Sequence, residues 1–431
     1  MERVMTSELG EHAGERVRMA GWVHHQRHLG QVSFLLLRDA SGIGQVVIED
    51  EATRLAAAAM FAESVVEIEG AVVASSQAPS GFEVHDPAIT VLGAPAEAPP
   101  FELRRPALNS QLPTLLDHAA VSLRHPKIRA AFSISAASLY GFRSTLDALG
   151  FTEIQTPKIV GAATESGANV FGLDYFGRRA YLAQSPQLYK QMMVGVFERV
   201  YETGPVFRAE PHDTARHLAE YVSLDAELGF IRDHRDVEVV LRSVLAGMVA
   251  TVEERAADAV ALLGLELPRV PDEIPRIHFH DAQLLLEAAT GTRVVGEPDL
   301  APAHERWLGE YALAEHGSEF LFVEGYPMVK RPFYTHPEPG RPEFSNSFDL
   351  LFRGLELVTG GQRLHSYGDY LEVLDASARD ALDGYLDAFR HGMPPHGGFA
   401  IGLERWTARV VGAPNVRQVT LFPRDINRLT P

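Results

Sequence analysis

From residue 15 to residue 92 the chain is cut into short β-rich runs separated by turns, and that rhythm confines this region to a small set of all-β shapes. The runs are "RVRMAGWVHH", "QVSFLLLRD", "GQVVIED", "SVVEIEGAVVAS", "GFEVHD" and "AITVL". Between the third and fourth lies "EATRLAAAAMFAES", an alanine-rich helix candidate. Five or six short strands with one helix in that place predict a small Greek-key barrel of the OB type over residues 1–100. The Pro/Ala segment "GAPAEAPPFEL" closes the region, and residues 101–125 are read as a hinge.

Beyond residue 126 the pattern changes. "IRAAFSISAASLYGFRSTLDALG" carries apolar residues at helical spacing, and "FTEIQTPKIV" reads as a strand interrupted by Pro157. Strands are predicted at "ERVYETGPVFRAE", "YVSLDAELGF", "FLFVEGYP", "SFDLLFRGLELVTGG" and "GGFAIGLERW", with helices at 186–197, 234–263 and 376–390. Strands grouped among helices without strict alternation give an α+β domain, 126–431, with a mostly antiparallel sheet. Residues 260–320 stand out as an insertion with no assigned role.

Composition limits the function. With 46% hydrophobic and 22% charged residues, 431 in all, the chain has the make-up of a globular protein with two or three cores. No apolar run approaches a membrane span, the N-terminus lacks the apolar core of a signal peptide, and cysteine is absent, which together suggest a cytoplasmic enzyme. A net charge of −18 opposes nonspecific coating of nucleic acid, so neither a membrane nor DNA is expected as partner. Of 39 basic residues four are lysines (Lys127, Lys158, Lys190, Lys330), leaving 39 − 4 = 35 arginines. A lysine kept against that bias marks a place where a guanidinium does not substitute for an ammonium.

Three strips carry chemistry. "FRAEPHDTARHLAEY", "RGLELVTGGQRLHSY" and "GMPPHGGFAIGLERW" each set an arginine and an acid at the edge of an apolar strand. Arginine clamps phosphate oxygens with its planar fork, and carboxylates nearby can hold magnesium. Singly, each strip is more often a solvated strand end. Together, and with no Walker or Rossmann glycine fingerprint to bind a nucleotide otherwise, they resemble the class II aminoacyl-tRNA synthetases. Over the whole length the chain resembles the archaeal-type aspartyl-tRNA synthetases. "GFTEIQTPKIV" is similar to motif 1, which builds a homodimer interface in that family; the first and third strips contain motifs 2 and 3. "YLAQSPQLYKQ", "RHGMPPHGG" and "FPRD" agree with the same family.

The resemblance implies roles residue by residue. Arg208 and Arg405 are the expected catalytic pair. ATP would be held by Arg208, Glu210, Arg216, His217, Leu218, Tyr221, Glu356, Gly402, Leu403, Glu404 and Arg405, with Tyr221 and Arg405 on opposite faces of adenine. Magnesium would sit on Glu356 and the Thr359 hydroxyl, where many relatives carry serine. L-Aspartate would be held by Glu165, Gln187, Lys190, Arg208, Asp225, Thr359 and Arg363. Lys190 and Arg363 would read its side-chain carboxylate, since an amide would leave two buried cations without their partner. "TESGANVF" (164–171) is similar to the loop that closes over substrate.

In this family the barrel reads the tRNA anticodon. Phe34 would stack on a base while Arg27 and Gln45 read base edges. Residues 1–100 carry six arginines and fourteen acids, a net of 6 − 14 = −8. Arg16, Arg18, Arg27 and Arg38 fall with His24, His25 and His28 in the first two strands, so one basic face is still expected. Relatives restricted to the aspartate tRNA tend to carry Trp at the position of His24 and Lys at that of Pro79. The residues present here resemble the non-discriminating type, which charges both tRNA(Asp) and tRNA(Asn). Three rivals stand beside this reading: an asparaginyl-tRNA synthetase, a non-catalytic RNA-binding paralogue, and an amidating asparagine synthetase, which would lack the barrel.

Overall fold

The period-two runs of the first unit form five strands, β1 (Arg16–Leu29), β2 (Val32–Arg38), β3 (Ile43–Ile48), β4 (Val65–Ala74) and β5 (Phe82–Gly93). They close into a barrel in the order β1-β2-β3-β5-β4. The computed structural model describes residues 2–78, 80–161 and 169–431. Inward positions of the barrel are apolar and buried (Leu35, Leu37, Val46, Val66, Ile68, Val84), as alternation on a pleated strand requires. The expected helix occupies Glu51–Ala58, capped by the Asp50 side chain, which accepts the Thr53 N–H at 2.8 Å. "GFEVHD" and "AITVL", read as separate strands, are one strand bent at Asp86, where φ is +46°.

The chain divides into two units, Met1–Pro126 and Lys127–Pro431. In the second, the strands run β6 (Thr152–Glu153), β7 (Ile159–Val160), β8 (Gly172–Tyr175), β9 (Arg178–Leu182), β10 (Arg199–Phe207) and β11 (Glu220–Gly229). They continue with β12 (Arg276–His278), β13 (Phe320–Glu324), β14 (Pro337–Glu338), β15 (Arg341–Ser345), β16 (Ser347–Phe352), β17 (Leu355–Gln362) and β18 (His396–Gly402). Eight of them form one sheet, in the order β12-β13-β16-β17-β18-β11-β10-β6. It is antiparallel apart from the outermost pairs at each edge, β12/β13 and β10/β6. The expected α+β architecture, an OB barrel followed by an antiparallel-rich sheet flanked by helices, is the one observed.

Helices Pro126–Ala148 and His234–Arg255 cover one face through Phe142, Leu146, Leu241 and Met248, which pack on Leu224, Ala226, Phe399 and Ile401. The opposite face of the same strands carries Ser223, Asp225, Glu227 and Ala400. A strand buried on both faces but polar on one marks the side where chemistry is housed.

Three local readings change. "SFDLLFRGLELVTGG" is a hairpin, β16 and β17, turning at Arg353 (φ +49°) and Gly354 (φ +68°). The 234–263 helix breaks at Ala256 into His234–Arg255 and Ala257–Leu263, because Ala256 turns into the core. The 376–390 helix is likewise two pieces, Ala376–Ala381 and Asp383–Arg390. The two sides of Pro157 also part: β6 joins the large sheet, and β7 pairs with β9 in a three-stranded one. Residues 260–320 fold as strand β12 and helices Phe279–Thr290 and Pro302–His316, which share a core with β13.

Candidate active site

Strands β10 and β11 pair until Phe207↔Glu220, and the chain between them forms a turn closed by Arg208 N–H donating to the Ala219 carbonyl at 2.8 Å. This turn holds the first charged strip. It walls a cavity of about 340 Å³ together with Glu356 and Thr359 of β17, Gly402 at the end of β18, and Glu404 and Arg405 in the helix that follows. Arg208 and Arg405, from segments nearly two hundred positions apart, thus face one space. The Arg208 guanidinium carbon lies 6.0 Å from the Tyr221 ring centre. A Cβ on Gly402 would lie 3.9 Å from both Tyr221 and Arg405, so these two side chains flank a slot over a bare glycine. Glu210, Arg216, His217 and Leu218 line the same cavity. Leu403 does not. Its side chain is buried in the core beside Trp406, because the helix Leu403–Val411 begins there and turns it inward.

The charges in the cavity interlock. Arg405 Nη1 donates to the Glu356 carbonyl at 3.2 Å and lies 3.7 Å from its carboxylate. Burial pushes the Glu356 carboxyl up, but Arg405, with Arg331 and Arg216, outweighs it and holds it below the usual range. The Thr359 hydroxyl donates to Glu356 Oε1 at 3.3 Å. Asp349, which the sequence reading missed, pairs across the strands with Thr359 and accepts Arg331 Nη2 at 3.0 Å. Burial, opposed by Arg331 and reinforced by Glu356, pushes its carboxyl up to about 6. His217 is lowered to about 4 by burial and then by Arg405, so its ring is neutral at pH 7. Glu404 accepts the Val222 N–H at 3.1 and 3.2 Å, and burial pushes it up to about 7.

The turn is braced from a distance. Arg417 donates to the Thr214 carbonyl at 2.9 Å, to Asp213 at 3.2 Å and to Asp425 at 2.5 Å. Ala219 N–H donates to the Arg424 carbonyl at 2.8 Å.

Beside the cavity the polar face of β11 is backed by the helix Gln187–Phe197. Its Lys190, 1% exposed, lies 3.0 Å from Asp225 and 3.2 Å from Glu227, and donates to the Phe399 carbonyl at 3.2 Å. Arg363 donates from Nε to Glu227 at 3.0 Å and from Nη2 to the Gly398 carbonyl at 3.0 Å. Gln187 is buried and donates to Gln191 at 3.0 Å. The expectation of two cations waiting for a negative side chain needs correction: each already has a carboxylate, because a buried charge is not left bare. The shared acid, Glu227, was missed. It is fully buried, yet Arg363 and Lys190 outweigh burial and keep its carboxyl below the usual range. The signal was present in "SLDAELG", where alternation sets an acid two positions after Asp225 on the same face. Glu165 lies outside the described residues.

On the barrel, Arg27↔Phe34↔Val47 and His25↔Leu36↔Gln45 form adjacent cross-strand rows on the outward face. Arg27 is exposed and Phe34 half-buried. Gln45 is not free to read a base edge: it is buried and donates to Glu83 at 2.9 Å. His24 is the extra residue of a bulge in β1, and its buried ring meets Arg38 at 3.2 Å instead of joining the outward rows. Arg38 forms a bidentate pair with Glu63, both bonds 2.7 Å. Pro79 lies outside the described residues.

Residues 111–426 match the family model for class II tRNA synthetases (D, K and N), and residues 17–92 match the OB-fold nucleic acid binding domain. A Thermus thermophilus protein named aspartate–tRNA(Asp/Asn) ligase is 48% identical over 100% of both chains. One of the same name from Deinococcus radiodurans is 47% identical over 100% of this chain and 99% of its own. Among solved structures, asparaginyl-tRNA synthetase from Pyrococcus horikoshii, complexed with asparaginyl-adenylate, superposes with a TM-score of 0.92 at 33% identity, covering 100% of both chains. The catalytic fold, the barrel and the relatedness along the full chain agree, and the chain belongs to the class II tRNA synthetases of the D, K and N group.

Proposed function

We propose that this enzyme ligates L-aspartate to tRNA through aspartyl-adenylate and charges both the aspartate and the asparagine tRNAs. The observation that carries the reading is the buried Lys190–Arg363 pair set beside a cavity where Arg208 and Arg405 converge. The relatives named for aspartate and both tRNAs stand at 48% and 47% identity, against 33% for the asparaginyl enzyme, which favours aspartate over asparagine.

Aspartate enters with its side-chain carboxylate toward Lys190 and Arg363 and its ammonium toward Asp225 and Gln187. Its α-carboxylate, with a reference pKa of about 3.5, is ionised at neutral pH and needs no base. A carboxylate oxygen attacks the α-phosphorus of ATP in line, the bond to the bridging oxygen breaks, and pyrophosphate leaves. Arg208 meets the charge that builds on the α-phosphate, so catalysis is positioning and electrostatics. Adenine lies in the slot between Tyr221 and Arg405, and the triphosphate end points to Arg216 and the neutral His217. Glu356, Thr359 and Asp349 offer only oxygen donors, and a cation would offset both the burial and the neighbouring Glu356 charge that raise Asp349; this set suits magnesium. Magnesium held by Glu356, Thr359 and Asp349 would supply charge neutralisation for the phosphate groups. In the second step a terminal ribose hydroxyl of tRNA attacks the aspartyl carbonyl and AMP departs.

Arg27 and Phe34 present the stacking and edge-reading face for the anticodon, and His24 acts on it through Arg38. Two copies pair through residues 150–160, and the reaction takes place in the cytoplasm; no described helix is long and apolar enough to cross a membrane. Aminoacylation of the two purified tRNAs, with aspartate and asparagine in parallel, tests the whole reading. Aspartate is expected on both tRNAs. Charging of tRNA(Asn) below about a thousandth of the tRNA(Asp) efficiency, ~4 kcal/mol of discrimination, would reject the dual role.

A further inference from the structure

The segment 260–320, which the sequence leaves without a function, sends the Glu305 side chain to Arg216, a residue that lines the cavity. Glu305 stands in the first turn of the helix Pro302–His316 and is 5% exposed. Its two carboxylate oxygens lie 3.3 and 3.2 Å from Arg216 Nη1, and Oε2 also accepts the Glu356 backbone N–H at 3.0 Å. One buried carboxylate therefore joins the arginine of the β10–β11 turn to the main chain of the residue whose side chain faces the candidate cation.

Arg216 has a competing acid within electrostatic reach. Glu356 lines the same cavity as Arg216, and Arg405 donates both to the Arg216 carbonyl at 3.4 Å and to the Glu356 carbonyl at 3.2 Å, so the two residues stand close together. An arginine carries five N–H donors in a fixed fork, and fixing one nitrogen leaves the others free to meet phosphate oxygens. Without Glu305 the long Arg216 side chain would be loose, and Glu356 is one of the carboxylates of the same cavity on which it could fall. We infer that Glu305 is a positioning residue for ATP: it pins Arg216 as a fixed cation for the triphosphate end and keeps it off Glu356. This rests on the ATP reading proposed above.

Aspartate-dependent pyrophosphate exchange in the full chain tests it, with KM and kcat resolved for Glu305→Ala, Glu305→Gln, Arg216→Ala and the double variant. Glu305→Ala is expected to raise KM for ATP about tenfold while KM for aspartate moves less than about twofold. Glu305→Gln keeps an acceptor for the Glu356 N–H and the shape of the site, and should fall between wild type and Glu305→Ala even where the alanine variant folds poorly. In the Arg216→Ala background, Glu305→Ala should add less than about twofold, because its partner is already gone. If Arg216→Ala raises KM for ATP and Glu305→Ala still adds its full factor, the positioning role is wrong and the ATP reading stands. If Arg216→Ala leaves KM for ATP unchanged, the nucleotide role of Arg216 falls and the inference falls with it. A lower melting temperature with unchanged KM for ATP in Glu305→Ala and Glu305→Gln would reduce Glu305 to a packing residue and overturn the inference.

Discussion

Lys190 shows how far a single residue can be read and where the reading stops. Its scarcity among basic residues and its place in "QSPQLYK" pointed to the pocket, but charge balance inside a protein needs partners that no single position announces. Glu305 and Asp349 became visible only when elements far apart in sequence brought them to Arg216 and Thr359, whereas the alternation of β11 already signalled Glu227 and only its partner Arg363 was hidden. Lys190→Met keeps most of the volume but leaves Asp225 and Glu227 short of a cation; kcat/KM for aspartate in pyrophosphate exchange should fall by about 10³-fold or more. Glu404 gives a pH signature. Its carboxyl is raised from 4.5 to about 7 in the fold, so it binds its proton more tightly when folded. That stabilisation is complete below about pH 4.5 and is lost as pH rises through about 7. Thermal melts should show the wild type losing ground to Glu404→Gln across that window, since glutamine still accepts the Val222 N–H and does not ionise.

At the scale of elements, alternation made β11 legible, and the turns marked the strands of the barrel, although two of the six runs are one bent strand. The breaks were not legible. Nothing in "RAADAV" marks Ala256 as the end of a helix; the core beneath it does. The close approach of β18 to β11 is similarly a matter of packing. A Cβ on Gly398 would lie 2.0 Å from Glu227 Oε2 and 2.1 Å from the Ala226 carbonyl. Gly398→Ala must therefore push apart two central strands and the Glu227–Arg363 pair together. We expect a loss of about 4 kcal/mol or more, read as a large fall in denaturation midpoint, with exchange activity lost alongside.

For the whole molecule, two cores in two units separate reading the tRNA from activating the amino acid. His24→Trp must displace the ring that meets Arg38, and it should narrow tRNA choice without touching adenylate formation. The tRNA(Asn)-to-tRNA(Asp) ratio of kcat/KM should drop about tenfold, ~1.4 kcal/mol, while exchange measured without tRNA stays at the wild-type rate. Composition and periodicity change together near residue 100, while the two units part after Pro126; the assembly of the cavity was not legible, since its walls come from three separate stretches, 208–223, 356–359 and 400–426. The brace on the arginine-bearing turn makes this concrete, with Arg417 reaching back 204 positions to Asp213. A ribosome adding about 5–20 residues each second takes ~10–40 s to cover that distance. Throughout that interval the nascent polypeptide already displays its arginines without the strut that fixes them. The turn that walls the cavity is therefore braced only after synthesis has passed Arg417.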